Sequence, residues 1–477
     1  MLFRERIRII TAIISAMLFS LGLVMILNSI VPSYPVTINR VTILHRPRVY
    51  IEIAVIGEVF LALGILGILI NYKLFFKTLL LSLSTIMIIS IPLIFIDLRN
   101  LALHNWVIIG ISSFISEYLV IITPIISILI LALLIMKSKA PLKYGIGISN
   151  AKLDPISDIL LIFAIAIIVF SIPYIPLINP RGIIVDVDYH YYSEALDLAK
   201  DSPNPLHTVI TWGRCVDRPL FMLFIYAISS IMSFEIFDKI YMIVSLALFI
   251  VLVNVVSKVL RLRYGWLVAM LSPITVGFMY GGFHANLMSL NISLLALYLS
   301  FKKRITTPIL SLISSLIHSE AWLFHTVLFT YDPKSLMLWI VPGSIWWLFR
   351  SIFIIPTCPL LESFISGITN DLHFILNIYL WGTFSNWLFY LLVIIGIIIM
   401  YRKHMNYLIP TLLSMSFLVI PLIMFRELIL RVIMNSVMWI PISRALASIK
   451  SREFLVFYTC YQLLFVVFML VNAVPRI

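Results

Sequence analysis

Two aspartates, Asp186 and Asp188, stand directly before an aromatic run, Tyr189-His190-Tyr191-Tyr192. They lie in a polar loop over residues 178–218 that opens Asn179-Pro180-Arg181-Gly182 and closes Asp217-Arg218-Pro219-Leu220. With Glu194, Asp197, Asp201 and Asp217 the loop holds 6 of the chain's 21 acidic residues, far above its share of length. Carboxylates concentrated in this way can take a proton from a polar substrate. A positioned carboxylate base contributes roughly 10²–10⁴ in rate.

The surroundings of the loop are very apolar. The chain is 62% hydrophobic and 12% charged, with a mean hydropathy of +1.10; a soluble domain carries about 25% charge. Apolar runs of about 20 residues, the length that crosses a bilayer, recur along the chain. Backbone groups in lipid must be paired within the segment, so these runs are read as helices. The expected fold is all-α and polytopic, with about 13–15 crossings. The first run, 7–31, is too long for a signal h-region and reads as an anchor.

The net charge of +13 comes from short basic clusters between apolar runs, which speak for orientation and against nucleic acid. Arg4, Arg6 and Arg8 place the N-terminus in the cytoplasm, and Lys73, Lys77, Lys137, Lys139 and Lys143 fall on the same side. The cluster Arg40, His45, Arg46 and Arg48 is external by this count and departs from the rule. A helix over 156–177 then delivers the loop to the external face. Cys215, Cys358 and Cys460 have no metal spacing; Cys215 and Cys358 could both lie outside and pair.

After Asp188 the loop has helical periodicity. Tyr191, Tyr192, Ala195, Leu196, Leu198 and Ala199 share one face, and Ser193, Glu194, Asp197, Lys200 and Asp201 the other. Such a helix lies at the membrane surface with tyrosines at headgroup depth. It holds the aspartates where a lipid headgroup and an aqueous acceptor meet. Asp188 also suits the helix N-cap. Residues 219–233 form a helix too short to cross, so 239–257 is expected to cross inward, leaving Lys258, Arg261, Arg263, Lys302, Lys303 and Arg304 inside. That puts Gly281-Gly282-Phe283-His284-Ala285-Asn286 outside, beside the loop. A helix over 305–330 carries His318, Glu320 and His325 in its outer half. The region 331–386 allows one crossing or three. The helix over 405–424 runs out to Arg426-Glu427, and 428–446 returns carrying Arg431.

The segments Asp186-Val187-Asp188-Tyr189-His190-Tyr191-Tyr192 and Arg218-Pro219-Leu220-Phe221 resemble the first external loop of the GT-C class of membrane glycosyltransferases, which use polyprenyl- or dolichyl-phosphate sugars and include mannosyltransferases. Arg426-Glu427-Leu428-Ile429-Leu430-Arg431 is similar to the family helix whose arginine grips the carrier phosphate. The family's second acidic loop falls at 281–286, which has no carboxylate here. The resemblance covers residues 156–446, including the loop; helices within 1–136, a cytoplasmic linker at 137–155 and a last helix within 447–477 lie outside it.

The resemblance implies transfer of a sugar from a polyprenyl-phosphate carrier to an acceptor hydroxyl on the external face, with inversion. Asp188 is the first candidate base and Asp186 the second. Arg431 and Arg426 are the phosphate candidates, since arginine matches phosphate geometry and offsets the charge that develops on it. Glu427, His284, Asn286, His318, Glu320, Arg218 and Tyr192 are further substrate-contact candidates. The donor and membrane lipid are the expected partners, and the acceptor is left open (lipid-linked glycan, glycolipid or protein). No metal ligands are assigned; a divalent cation is the cofactor such a site could take. A transporter or flippase of a lipid-linked saccharide would place its charges near the midplane. A polysaccharide polymerase or ligase would share the external donor.

Overall fold

A computed structural model of the chain describes residues 9–20, 34–38, 41–45, 60, 64, 71, 73–85, 88, 156–175, 187–215, 218–272, 275, 284–301, 306–318, 321, 325, 387–403, 411 and 438–473. Their regular structure is helical apart from one hairpin. Strands β1 (Tyr34–Ile38) and β2 (Val41–His45) pair antiparallel with Ile38 opposite Val41. The sequence reading treated this stretch as an external loop. The β-branched residues Val36, Thr37, Ile38, Val41, Thr42 and Ile43 favour the extended backbone found instead.

Before the loop the described helices are α1 (Ile9–Ser20), α2 (residues 73–85) and α3 (Ile156–Ser171). The polar loop itself folds into α4 (Val187–Lys200), α5 (Pro205–Cys215) and the adjoining α6 (Pro219–Ser229). Then come α7 (Phe234–Val259), α8 (Gly265–Met270), α9 (His284–Ser300) and α10 (Thr307–Ile317). The last are α11 (Trp387–Arg402), α12 (Trp439–Ile449) and α13 (Arg452–Ala473).

At 26 residues, α7 is the one helix among the described residues long and apolar enough to cross a membrane. It spans about 39 Å at 1.5 Å per residue. The expectation started this helix at residue 239; it begins five residues earlier, at Phe234. The 11 residues of α6 reach only about 16 Å, short of a roughly 30 Å hydrocarbon core, as expected for the stretch after Pro219.

The main core joins α2, α3, α7, α8, α9, α11, α12 and α13 through side chains such as Phe75, Ala166, Phe249, Leu290, Leu392, Ile442 and Phe457. Close approach needs small residues. A Cβ at Gly396 of α11 would stand 2.0 Å from the Pro441 carbonyl oxygen of α12. Buried hydroxyls and amides bind α9 to its neighbours: Ser314 Oγ donates to the Ser289 carbonyl at 2.9 Å, and Asn291 Nδ2 to the Ser245 carbonyl at 2.9 Å. Such polar contacts hold helices together where the surroundings offer no water.

The first described helices dock on the last one. Phe19 of α1 meets Phe75 of α2 edge-on at 5.8 Å. Lys77 of α2 forms a 2.7 Å salt bridge with Glu453 in the first turn of α13. The lysine's hydrogen bond, with those from the Glu453 backbone and Ser451, lowers the Glu453 carboxyl to about 2. At the same end of α11, Lys403 is lowered by burial and by the positive charges of Arg444 and Lys450.

Candidate functional site

The loop helices are shaped by their apolar spacing. Tyr192, Ala195, Leu196 and Ala199, an i, i+3, i+4, i+7 set, are the buried side of α4. Asp197 and Lys200 pair on its exposed side at 2.8 Å. Leu198, expected on the apolar face, is 37% exposed. It falls between the buried stripe and the charged face, where the stripe has already been filled by Ala195 and Ala199.

Helix α5 was not anticipated. Asn204 Oδ1 accepts the His207 N–H at 3.3 Å, and Pro205 occupies the first turn, so cap and proline start the helix together. Val209 and Trp212 give it a buried face, and a Cβ at Gly213 would lie 2.9 Å from Pro219 Cα. The missing side chain lets the chain fold back at once: the Arg218 N–H reaches the Gly213 carbonyl at 2.8 Å. Cys215 ends α5 and is disulfide-bonded. Cys460 is free and buried, and Cys358, which the sequence allowed as a partner for Cys215, lies outside the described residues.

Three helices of the loop close over one end of the core. Their buried residues Tyr192, Val209, Trp212, Phe221 and Ile225 pack with Phe237 and Tyr241 of α7, Ala285 of α9 and Ile317 of α10. The start of α7, the start of α9 and the end of α10 therefore lie together beneath the loop.

Two polar relationships stand inside this apolar cluster. Arg218, at the N-cap of α6 with no capping bond of its own side chain, donates from Nη1 to Tyr192 Oη at 2.5 Å. Its guanidinium also sits 5.7 Å from the Tyr192 ring centroid, a cation–π distance. The second relationship joins α7 to α9: His284 Nε2 is hydrogen-bonded to Asp238 Oδ1. Tyr241 donates its hydroxyl to the His284 carbonyl at 2.9 Å and stacks on the imidazole at 5.5 Å. Tyr192 meets the same imidazole edge-on at 5.8 Å, so the ring contacts both relationships. His284 is 0% exposed and Asp238 6%. A buried carboxylate is stable only when paired and hydrogen-bonded.

Of the residues expected from sequence, the structure brings Tyr192, Arg218 and His284 together. Asn286 is buried in the first turn of α9. Both it and His284 belong to this helix rather than to a loop, which corrects the expectation for 281–286. Asp188 stands in the first turn of α4, four residues before Tyr192, so the two positions share a helix face. Because α4 begins at Val187, Asp188 is inside the helix and is not its N-cap. His318 is buried but is not within a helix: α10 stops at Ile317 and His318 is extended, with φ −151 and ψ 129. Its N–H still bonds the Ser314 carbonyl at 3.1 Å. Asp186, Asp217, Glu320, Arg426, Glu427 and Arg431 lie outside the described residues.

Asp238 and Tyr241 were missed. The signal was present: starting the helix at Phe234 puts Asp238, Tyr241, Met242 and Ser245 on one apolar stripe, with a carboxylate in it. The described residues include no group of three or more His, Cys, Asp or Glu able to hold a metal ion. No family model, curated protein or solved structure matches the chain.

Proposed function

We propose that the chain is a multi-pass membrane glycosyltransferase that moves a sugar from a polyprenyl-phosphate carrier to an acceptor hydroxyl on the external face. The observation that carries this reading is the closure of the loop over α7, α9 and α10. It brings Tyr192 and Arg218 of the loop, whose first helix carries Asp188, against the His284–Asp238 pair of α9 and α7.

The orientation has its own support. Lys77, assigned to the cytoplasmic side from sequence, meets Glu453, and Lys403 lies near Arg444 and Lys450; basic residues gathered at helix ends are what the cytoplasmic side of such a protein carries. Cys215 belongs to the loop assigned to the outside, and disulfides persist in oxidising compartments.

In the proposed reaction the Asp188 carboxylate takes the proton of the acceptor hydroxyl as its oxygen attacks the anomeric carbon. The bond from that carbon to the carrier phosphate oxygen breaks, and polyprenyl phosphate leaves with the electron pair. Direct displacement inverts the anomeric centre. Arg431 and Arg426 are the proposed partners of the phosphate, and Arg218, bonded to Tyr192, is a cation of the loop cluster itself. The test is Asp188→Asn in native-host membranes supplied with polyprenyl-phosphate hexose labelled in the sugar. Transfer should vanish while the amount of inserted protein stays the same. Full transfer by this variant would remove Asp188 as the base.

A further inference from the structure

The Asp238–His284 pair is costly to bury, and helix packing alone does not account for it. Helices α7 and α9 are already joined lower down by Asn291 and the Ser245 carbonyl and by apolar core contacts such as Leu246 and Leu290. Neutral side chains would serve as a staple at lower desolvation cost. The pair also has a specific place. Its imidazole is in ring contact with Tyr192, the residue that receives Arg218, and with Phe221 at 6.5 Å. The segment 281–286 offers no carboxylate of its own, and Asp238 supplies one to His284 from α7, 46 residues away in sequence.

We infer that Asp238 is a positioning residue of this site, acting through His284 to fix the tautomer and orientation of the imidazole beneath the loop. With the carboxylate oxygen as acceptor, Nε2 carries the hydrogen of this bond, which sets the tautomer of the ring. The Tyr241 hydroxyl on the His284 carbonyl and the Tyr241 ring against the imidazole hold the residue from the same helix. Asparagine at 238 can instead donate its amide N–H to Nε2, which permits the opposite tautomer.

The inference rests on the glycosyltransferase reading, and one experiment separates the two. The full chain is returned to native-host membranes lacking it. Release of polyprenyl phosphate is followed from polyprenyl-phosphate mannose and polyprenyl-phosphate glucose, per folded molecule. Asp238→Asn should lower kcat by about 10²-fold or more with KM within about twofold. In a His284→Gln background, adding Asp238→Asn should cost less than about twofold, because one acts through the other. If Asp238→Asn does not accumulate, Asp238→Glu reads the same relation, since it keeps a carboxylate on Nε2. It should lose less than about tenfold, and a loss equal to that of His284→Gln overturns the inference. So does an Asp238→Asn kcat within about threefold of the unaltered chain, or losses that multiply in the double variant. If the unaltered chain releases no polyprenyl phosphate from either donor, the glycosyltransferase reading falls and takes this inference with it.

Discussion

Arg218 Nη1 and Tyr192 Oη, 26 residues apart, are joined at 2.5 Å across the loop, and the tyrosine is wholly buried. The bond ties the start of α6 to α4, so α4, α5 and the turn into α6 are closed on one another.

Tyr192→Phe keeps the buried ring and removes the acceptor. A hydrogen bond to a charged group is worth about 1.5–3 kcal/mol. Amide exchange across α4 and α5 should therefore quicken by roughly 10-fold or more in a lipid nanodisc, with little change in α7. Unchanged exchange in α4 would show that the bond does not hold the loop.

Orientation can be read by labelling. Lys200 of α4 and Arg263 after α7 are both exposed. A cysteine at Lys200 should react with an impermeant maleimide on intact cells. One at Arg263 should react only after permeabilisation. External labelling at 263 would refute the proposed topology.

The Lys77–Glu453 bridge gives an acid dependence whose sign follows from the depressed carboxyl. A group whose folded value lies below its free value stabilises the fold above the free value, near 4.3 for glutamate. Here the contribution is lost as pH falls from about that value through about 2. The bridge is partly exposed, which limits it to about 1 kcal/mol or less. Glu453→Gln should lower thermal stability slightly at neutral pH and flatten its fall between about pH 4.5 and 2. An identical acid profile in that variant would count against the bridge.

Gly396 faces the Pro441 carbonyl oxygen with no room for a Cβ. Gly396→Val should force α11 away from α12 and cost about 1–3 kcal/mol or more. Reduced melting temperature in detergent is the readout, and unchanged stability would mean that the two helices part easily.

Legibility from sequence followed the strength of the local pattern. Helix α4 was readable because Tyr192, Ala195, Leu196 and Ala199 repeat at helical spacing. The shortness of α6 was readable because the uncharged apolar run after Arg218 stops at 233, before Glu235; the helix itself ends sooner, at Ser229. Helix α5 was not read, since Pro205, Gly213 and few apolar residues look like loop until Trp212 finds its buried place. The β-hairpin was hidden by attention to its charges, although two β-branched runs flank Asn39-Arg40. Asp238 was lost by placing the start of the helix at 239, five residues too late and just after it. Its contact with His284 depends on the packing of α7 against α9, which no local pattern states.

The disulfide at Cys215 has a practical consequence for handling the protein. Cys215 lies three residues before Arg218, in the turn that the Gly213 carbonyl closes. Thiol reductants in a purification buffer would unclamp the end of α5 beside the arginine. Material made in a reducing host, or kept in dithiothreitol, would then carry Arg218 on a looser turn than the oxidised protein does. Assays of the loop belong in reductant-free preparations.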